Sequence, residues 1–307
     1  DASFRRYFRV RTDAGTWIAM DAPPEREDCG PFVHVAERFA ETGLHVPDLL
    51  ERDLDQGFLL LSDLGDLQYA AALTDETVDR LYADALDALL VLQSGERSQT
   101  EFPAYDEPLL SREMGLFGDW LLTRHLGLDL SDDDLQTLAQ SRRDLCRAAL
   151  DQPRVWVHRD YHSRNLMVVA GNGPGILDFQ DAVVGPITYD LVSLLRDCYV
   201  RWPTERVYDW VEGHRIRLLA RGVAEVGNAA RFRRWFDLMG VQRHLKASGI
   251  FARLYHRDGK SAYLPDIPRT VGYIAEVAPG YPELDGLARL IESRVLPRLE
   301  DAVPCGR

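Results

Sequence analysis

The stretch Val157-His158-Arg159-Asp160-Tyr161-His162-Ser163-Arg164-Asn165-Leu166, resumed after a turn by Ile176-Leu177-Asp178-Phe179, decides the reading of this chain. Val155-Trp156-Val157 is a short apolar run before it, and Leu166-Met167-Val168-Val169 is another inside it. Gly171-Asn172-Gly173-Pro174-Gly175 predicts a turn, so the segment reads as short strands joined by tight loops. Asp160 and Asp178 then fall at strand ends, where loops held on a rigid scaffold carry chemistry. An Asp opening a tight loop is placed to accept the proton of a hydroxyl. An Asn five residues on and an Asp on the next strand converge on one divalent cation.

The pattern H-R-D-x-x-x-x-N followed by D-F is that of kinase-type phosphoryl transfer, in which positioning and charge neutralisation do most of the work. Asp160 is expected to orient an acceptor hydroxyl and take its proton. Asn165 and Asp178 are expected to hold Mg²⁺ bridging the phosphates of ATP, since carbonyl and carboxylate oxygens suit that hard cation. An isolated H-x-D commonly does no more than cap a turn. Here the flanking strands, the turn and the second acid all agree.

Composition sets outer bounds. The chain has 307 residues, 46% hydrophobic and 28% charged, as expected of one or two globular domains. A net charge of −13 argues against a nucleic-acid partner. No apolar run approaches the ~20 residues of a membrane-crossing helix, so no membrane partner is expected. Cys29, Cys146, Cys198 and Cys305 are scattered without C-x-x-C spacing. They predict reduced thiols in a cytoplasmic protein rather than a zinc site or a disulfide framework, and no signal peptide is visible. Of 36 basic residues only Lys246 and Lys260 are lysines.

Working outward, residues 6–11 and 16–21 read as strands around Thr12-Asp13-Ala14-Gly15. Residues 31–42 read as a helix stopped by Gly43, and residues 46–50 and 58–61 as two more strands. Beyond Ser62-Asp63-Leu64-Gly65 the pattern turns helical, with helices over residues 75–92 and 110–127 and a capping box from Ser131 and Asp134 opening a third. About four further helices are expected between residues 187 and 299. The fold class is therefore α+β and two-lobed, protein-kinase-like. A small mixed β/α N-lobe over residues 1–64 would hold nucleotide, and a large mainly helical C-lobe over residues 65–307 would carry the catalytic loop, metal and substrate site.

His158 to Asn165, Asp178-Phe179-Gln180-Asp181-Ala182, Gly185-Pro186 and Tyr189-Asp190-Leu191 resemble the aminoglycoside phosphotransferase/choline kinase superfamily, where H-x-D-x-H-x-x-N, D-[FW]-x-x-A and G-P-x-x-Y-D-L are typical. No A-P-E-like segment follows Asp178, which argues against a protein substrate. Two stretches, Asp1-Ala2-Ser3-Phe4-Arg5-Arg6-Tyr7-Phe8-Arg9 with Met20-Asp21-Ala22-Pro23-Pro24 and Gly240-Val241-Gln242-Arg243-His244-Leu245-Lys246 running on to Gly249-Ile250-Phe251-Ala252-Arg253-Leu254, resemble bacterial kinases that phosphorylate the anomeric hydroxyl of N-acetylmuramate and N-acetylglucosamine in cell-wall recycling. The resemblance implies a small-molecule amino-sugar substrate.

The chain departs from the kinase pattern twice. There is no G-x-G-x-x-G loop, and the strand lysine that holds the α/β-phosphates is absent, its expected place falling near Met20-Asp21. If residues 6–11 are the second strand, the phosphate-covering loop lies at residues 1–5 and a first strand would precede it. Ser3 and nearby backbone N–H groups are candidates to cradle phosphate. Arg5 or Arg9 would supply the missing charge through a guanidinium fork. Ser62, Asp63 and Leu64 would offer backbone groups to adenine. His162, Arg164, Arg201, Trp202 and Arg243 are candidate sugar contacts, and Asp190 is expected to tie its helix to the catalytic loop. Two rivals remain: an aminoglycoside or choline-type phosphotransferase, and a nucleotide-binding regulatory module without turnover. The intact Asp160, Asn165 and Asp178 argue against the second.

Overall fold

The computed structural model describes residues 4–95, 98–171 and 173–302. Ser3 and Cys305 lie outside the described residues. The N-terminal region folds as expected, with β1 (Arg6–Thr12) and β2 (Gly15–Asp21) forming a hairpin. The helix α1 (Gly30–Glu41) follows, then β3 (Leu49–Asp53) and β4 (Phe58–Ser62). The sheet is antiparallel in the order β1-β2-β4-β3. Alternation along the strands sends Ile18 and Met20 of β2, paired with Leu61 and Leu59 of β4, to one face. On α1, Phe32, Val33, Val35, Ala36 and Phe39 are buried, the spacing of one helical face.

β3 begins later than residues 46–50 predict. Pro47 has no N–H to give to a ladder, and Val46 N–H bonds to Leu44 in a local turn 3.1 Å away. Pairing starts around Asp48, whose N–H donates to Ser62 Oγ (2.8 Å) and whose carbonyl accepts from Ser62 N–H (3.0 Å). The apolar Val46 is buried as part of a packed connection instead.

After the short α2 (Tyr69–Ala72), α3 (Val78–Gln93) and α4 (Glu107–Leu116) lead into the helical region. The helix expected over residues 110–127 does not run on regularly: from Phe117 to His125 it widens into a π-helix. The long helix α8 (Ala229–Asp258) crosses there. A Cβ on its Gly249 would lie 2.4 Å from the Leu116 carbonyl carbon, so only glycine admits this approach. α5 (Asp132–Leu150) opens with the predicted capping box between Ser131 and Asp134.

The central hairpins are β5 (Arg154–Val157), β6 (Leu166–Met167), β7 (Gly175–Ile176) and β8 (Val183–Pro186), paired β5 with β8 and β6 with β7. The remainder divides more finely than four helices, into α6 (Tyr189–Leu195), α7 (Thr204–Ala220), α8 (Ala229–Asp258), α9 (Ile267–Val277), α10 (Asp285–Leu290) and α11 (Leu296–Ala302). Pro265, Pro279 and Pro282 lie between or at the ends of the later segments and deny them a continuous ladder. α8 is packed against α4, α5, α6, α7 and α9 and is buried on every side through its middle turns. No helix among the described residues is long and apolar enough to cross a membrane. Cys29, Cys146 and Cys198 are free and buried.

Candidate active site

Among the described residues only Arg159 (φ 77°) and Asp178 (φ 62°) have positive φ without being glycine. One precedes Asp160 and the other is the second acid of the motif. Such backbone costs of order 1 kcal/mol or more and persists only where the surroundings impose it. Asp190 imposes it on the catalytic loop. Its carboxylate accepts the N–H groups of His158 (2.7 Å) and Arg159 (3.0 Å), with burial pushing its carboxyl up to about 7. Asp190→Ala strands both N–H groups in a dry interior. We expect a loss of about 2–4 kcal/mol in urea unfolding and a fall in kcat of at least tenfold, and a variant as stable as the parent would contradict this tie.

His158 is the second tie. Its buried ring accepts the Asp160 N–H at Nδ1 (3.2 Å) and lies 3.0 Å from the Leu177 carbonyl at Nε2. That pair of partners demands a neutral ring with its proton on Nε2, and burial pushes its pKa down to about 4. One imidazole thus fixes the loop of Asp160 to the strand end that carries Asp178. Phe179 then packs on Phe32 of α1, ring centroids 4.9 Å apart, joining both loops to the sheet region.

Asn165 and Asp178 meet directly, the Asn165 amide nitrogen being 3.3 Å from Asp178 Oδ2 and 3.0 Å from the Asp160 carbonyl. Asn165 Oδ1 has no hydrogen-bond partner among the described residues. Burial raises the Asp178 carboxyl above its usual range; Gln180 opposes this, while Asp160 and Asp181 add to it. The locality is therefore short of positive charge and supplies hard oxygen donors, which fits a Mg²⁺ ion. Among the described residues no three His, Cys, Asp or Glu side chains gather closely enough to cage a metal alone. Mg²⁺ sites commonly use one or two carboxylates and complete the shell from phosphate and water.

Two cavities flank these residues. The first, about 300 Å³, is lined by Ile18, Pro47, Leu61, Met167 and Leu177, with Asn165 and Asp178 at its polar side. It is an apolar slot of a size to take a purine. Ser62, Asp63 and Leu64 all border it. The Ser62 hydroxyl accepts from Asp48 N–H and the Asp63 carboxylate holds Arg9 (2.7 Å), so both side chains are occupied. The Leu64 N–H has no partner among the described residues. Arg9 borders the slot but is spent on Asp63, Asp66 and the Gly65 carbonyl. Arg5 pairs with Glu27 (3.3 Å) and acts electrostatically on Asp178.

The second cavity, about 560 Å³, is lined by Asp160 together with α4 and α8. Burial alone would raise the Asp160 carboxyl, but Lys246 above all, then His162, Arg243 and Arg159, hold it down at about 2. Glu113 on α4 is the hub of this wall. It accepts from Arg159, from the Tyr105 hydroxyl and from Lys246 (3.3 Å), and Lys246 also donates to the Tyr189 hydroxyl (3.0 Å). His162 and Arg243 line the cavity, and His162 Nδ1 is buried without a hydrogen-bond partner. Arg164 borders the purine-sized slot instead, with its guanidinium 3.6 Å above the Tyr199 ring and 3.6 Å from Asp266. Arg201 and Trp202 line neither cavity: Arg201 pairs with Glu276 (2.6 Å), and the Trp202 indole donates to Tyr82 (3.0 Å).

Sequence reading did not name Glu113, Lys246, Tyr199, Phe251 or Tyr263 as residues of this cavity. A faint signal existed on α8. Arg243, Lys246, Ile250 and Arg253 recur at helical spacing, and Lys246 is one of two lysines in the chain.

The chain is similar to known proteins in sequence and in fold. A sequence model described as the phosphotransferase enzyme family matches residues 1–238. The N-acetylmuramate/N-acetylglucosamine kinase of Pseudomonas aeruginosa is 48% identical over 293 residues, covering 95% of this chain and 86% of that protein. In structure the chain is similar to the choline kinase of Streptococcus pneumoniae (TM-score 0.61, 8% identity, 88% of this chain and 89% of that one). It is also similar to the GDP complex of aminoglycoside 2′-phosphotransferase-IIIa (TM-score 0.58, 15% identity, 92% of each chain). These two likenesses establish the two-lobed, protein-kinase-like fold.

Proposed function

Because the chain belongs to the phosphotransferase enzyme family, and so transfers phosphoryl groups to an alcohol acceptor, we propose that it uses ATP and Mg²⁺ to phosphorylate the anomeric hydroxyl of N-acetylmuramate and N-acetylglucosamine. The carrying observation is the charge of the cavity beside Asp160. Arg112, Arg159, Arg243, Lys246 and Arg253 face only Glu113, Asp160 and Asp181, an excess of cations in a chain of net charge −13. A polycationic aminoglycoside or a quaternary amine would be repelled there. An anionic sugar would not, and Tyr189, Tyr199, Phe251 and Tyr263 offer aromatic surface for its ring.

The adenine lies in the apolar slot against Ile18, Leu61 and Leu177 and takes a hydrogen bond from Leu64 N–H. Bound Mg²⁺, held by Asn165 and Asp178, would neutralise charge on the transferring phosphate. Arg5 stands closer in role to the missing strand lysine than Arg9, whose charge is already taken by two carboxylates. Asp160 orients the acceptor hydroxyl and receives its proton as the bond to phosphorus forms. A carboxylate held near 2 is a weak base. It suits the anomeric hydroxyl, which the ring oxygen makes the most acidic on the sugar. A sugar 1-phosphate made from cell-wall amino sugars with ATP would belong to their recycling in the cytoplasm.

The test is ADP release with Mg-ATP on N-acetylmuramate, N-acetylglucosamine, kanamycin and choline, with ³¹P NMR of any product. Turnover on the two amino sugars giving an acid-labile 1-phosphate is the expected result. Turnover on kanamycin or choline alone would overturn the substrate assignment, and ATP binding without turnover on any would favour a regulatory module.

A further inference from the structure

Most cations of the acceptor cavity are already engaged. Arg159 and Lys246 hold Glu113, and Arg243 lies against Cys198 (3.5 Å) with its charge directed on Asp160. Arg112 of α4 and Arg253 of α8 differ. Both line the cavity, and neither makes a hydrogen bond or ion pair among the described residues. Arg112 is exposed, while Arg253 is partly buried with its Nε sealed from water and unpartnered. Burial and then the neighbouring Arg257 push the Arg253 guanidinium down by more than Asp258 and Glu113 hold it up. Leu109, Leu116, Ile250 and Leu254 line the same cavity and supply an apolar surround that strengthens any charge contact.

Arg253 also stands well away from Lys246, at the reacting end. Arg253 is two helical turns beyond Lys246, about 10 Å along α8, and Lys246 is the strongest influence holding Asp160 ionised. A sugar with its C1 hydroxyl at Asp160 directs its C3 substituent away from the reacting oxygen. In N-acetylmuramate that substituent is a lactyl ether ending in a carboxylate; in N-acetylglucosamine it is a plain hydroxyl.

We propose that Arg112 and Arg253 form a carboxylate subsite that grips the lactyl group of N-acetylmuramate and is left unused by N-acetylglucosamine. This rests on the functional reading above and adds to it a residue-level account of how one pocket serves both sugars. The guanidinium forks bind the carboxylate through charge-assisted hydrogen bonds. The shared remainder of the sugar is held by contacts nearer Asp160, so the subsite sets selectivity without taking part in the chemistry.

The test is steady-state kinetics of the full chain on both sugars for the parent, Arg253→Gln, Arg112→Gln and Arg253→Lys. Arg253→Gln should lower kcat/KM on N-acetylmuramate roughly 10- to 100-fold, through KM, because a charged hydrogen-bonding pair is lost. The ratio of the two kcat/KM values should fall by nearly the same factor, with Arg112→Gln smaller in effect and Arg253→Lys in between. N-acetylglucosamine turnover is the control for folding. Equal losses on both sugars, or no loss on N-acetylmuramate, would overturn the subsite while leaving the functional reading intact. A parent enzyme that phosphorylates neither sugar would overturn the functional reading, and the subsite with it.

Discussion

Asp160→Asn is expected to lower kcat about 10³-fold on either amino sugar, with KM for sugar and ATP changed by no more than a few-fold. The substitution keeps size and loop geometry, since the Asp160 N–H still donates to His158 and its carbonyl still accepts from Asn165. What goes is the negative charge on which Lys246, His162, Arg243 and Arg159 all act. The acceptor hydroxyl then loses both the group that aims it and the group that takes its proton. Retention of a tenth or more of the parent kcat would remove Asp160 from the role.

The same carboxylate makes a statement about pH. Its pKa in the folded protein, about 2, lies below the ordinary carboxylate value. The ionised form is therefore complete above the ordinary value and is lost only as pH falls through about 2. A profile of kcat/KM should show no acidic limb from Asp160 between pH 5 and 8.

The parts of this site that sequence exposed are those whose geometry is local. The loops of Asp160 and Asp178 are short connections, from β5 to β6 and from β7 to β8, so the order of residues alone brings Asp160 and Asn165 into one turn. Asp190 was legible from the Tyr189-Asp190-Leu191 motif and not from local geometry, since the N–H groups it accepts belong to His158 and Arg159, more than thirty residues away. The choice between Arg5 and Arg9 was not legible. It depends on carboxylates far along the chain: Asp63 and Asp66, more than fifty residues away, engage Arg9, and Glu27 engages Arg5. Arg201 and Trp202 follow the catalytic segments closely in sequence, yet each is drawn off by a distant partner, Glu276 and Tyr82.

The acceptor cavity was the least legible part. Much of its wall is α8, which other helices cover through its middle turns, so apolar residues surround the spaced Arg243, Lys246 and Arg253 and leave only a faint polar mark in the periodicity. Glu113 and Arg159 find each other across forty-six residues, and neither alone reads as more than a surface charge. Val46 shows the converse. Its apolar character suggested a strand, and it is buried, but Pro47 beside it has no N–H to give to a ladder.

Asp178→Asn should separate function from stability in a way few substitutions do. Asn tolerates the left-handed backbone that this position adopts (φ 62°), so the loop survives. An amide is a poor ligand beside a carboxylate for Mg²⁺, and we expect kcat to fall about 10³-fold, with far more Mg²⁺ needed for what remains. Stability should move the other way. Burial first, with Asp160 and Asp181 adding to it, raises the native carboxyl above its usual range. The ionised Asp178 therefore costs native stability, a cost that is absent below the unfolded pKa and complete once pH has risen through the folded one. Removing the charge at pH 7.5 without Mg²⁺ should leave Tm equal to or above that of the parent. With saturating Mg-ATP the order should reverse, because the parent gains binding energy in the folded state that the variant lacks. A variant that is destabilised without metal, yet keeps the parent's Mg²⁺ dependence, would show that Asp178 serves the packing of its loop and not the cation. The predicted crossover follows from a physical conflict in the site: a carboxylate kept dry and close to other acids is tolerable only where a cation completes it.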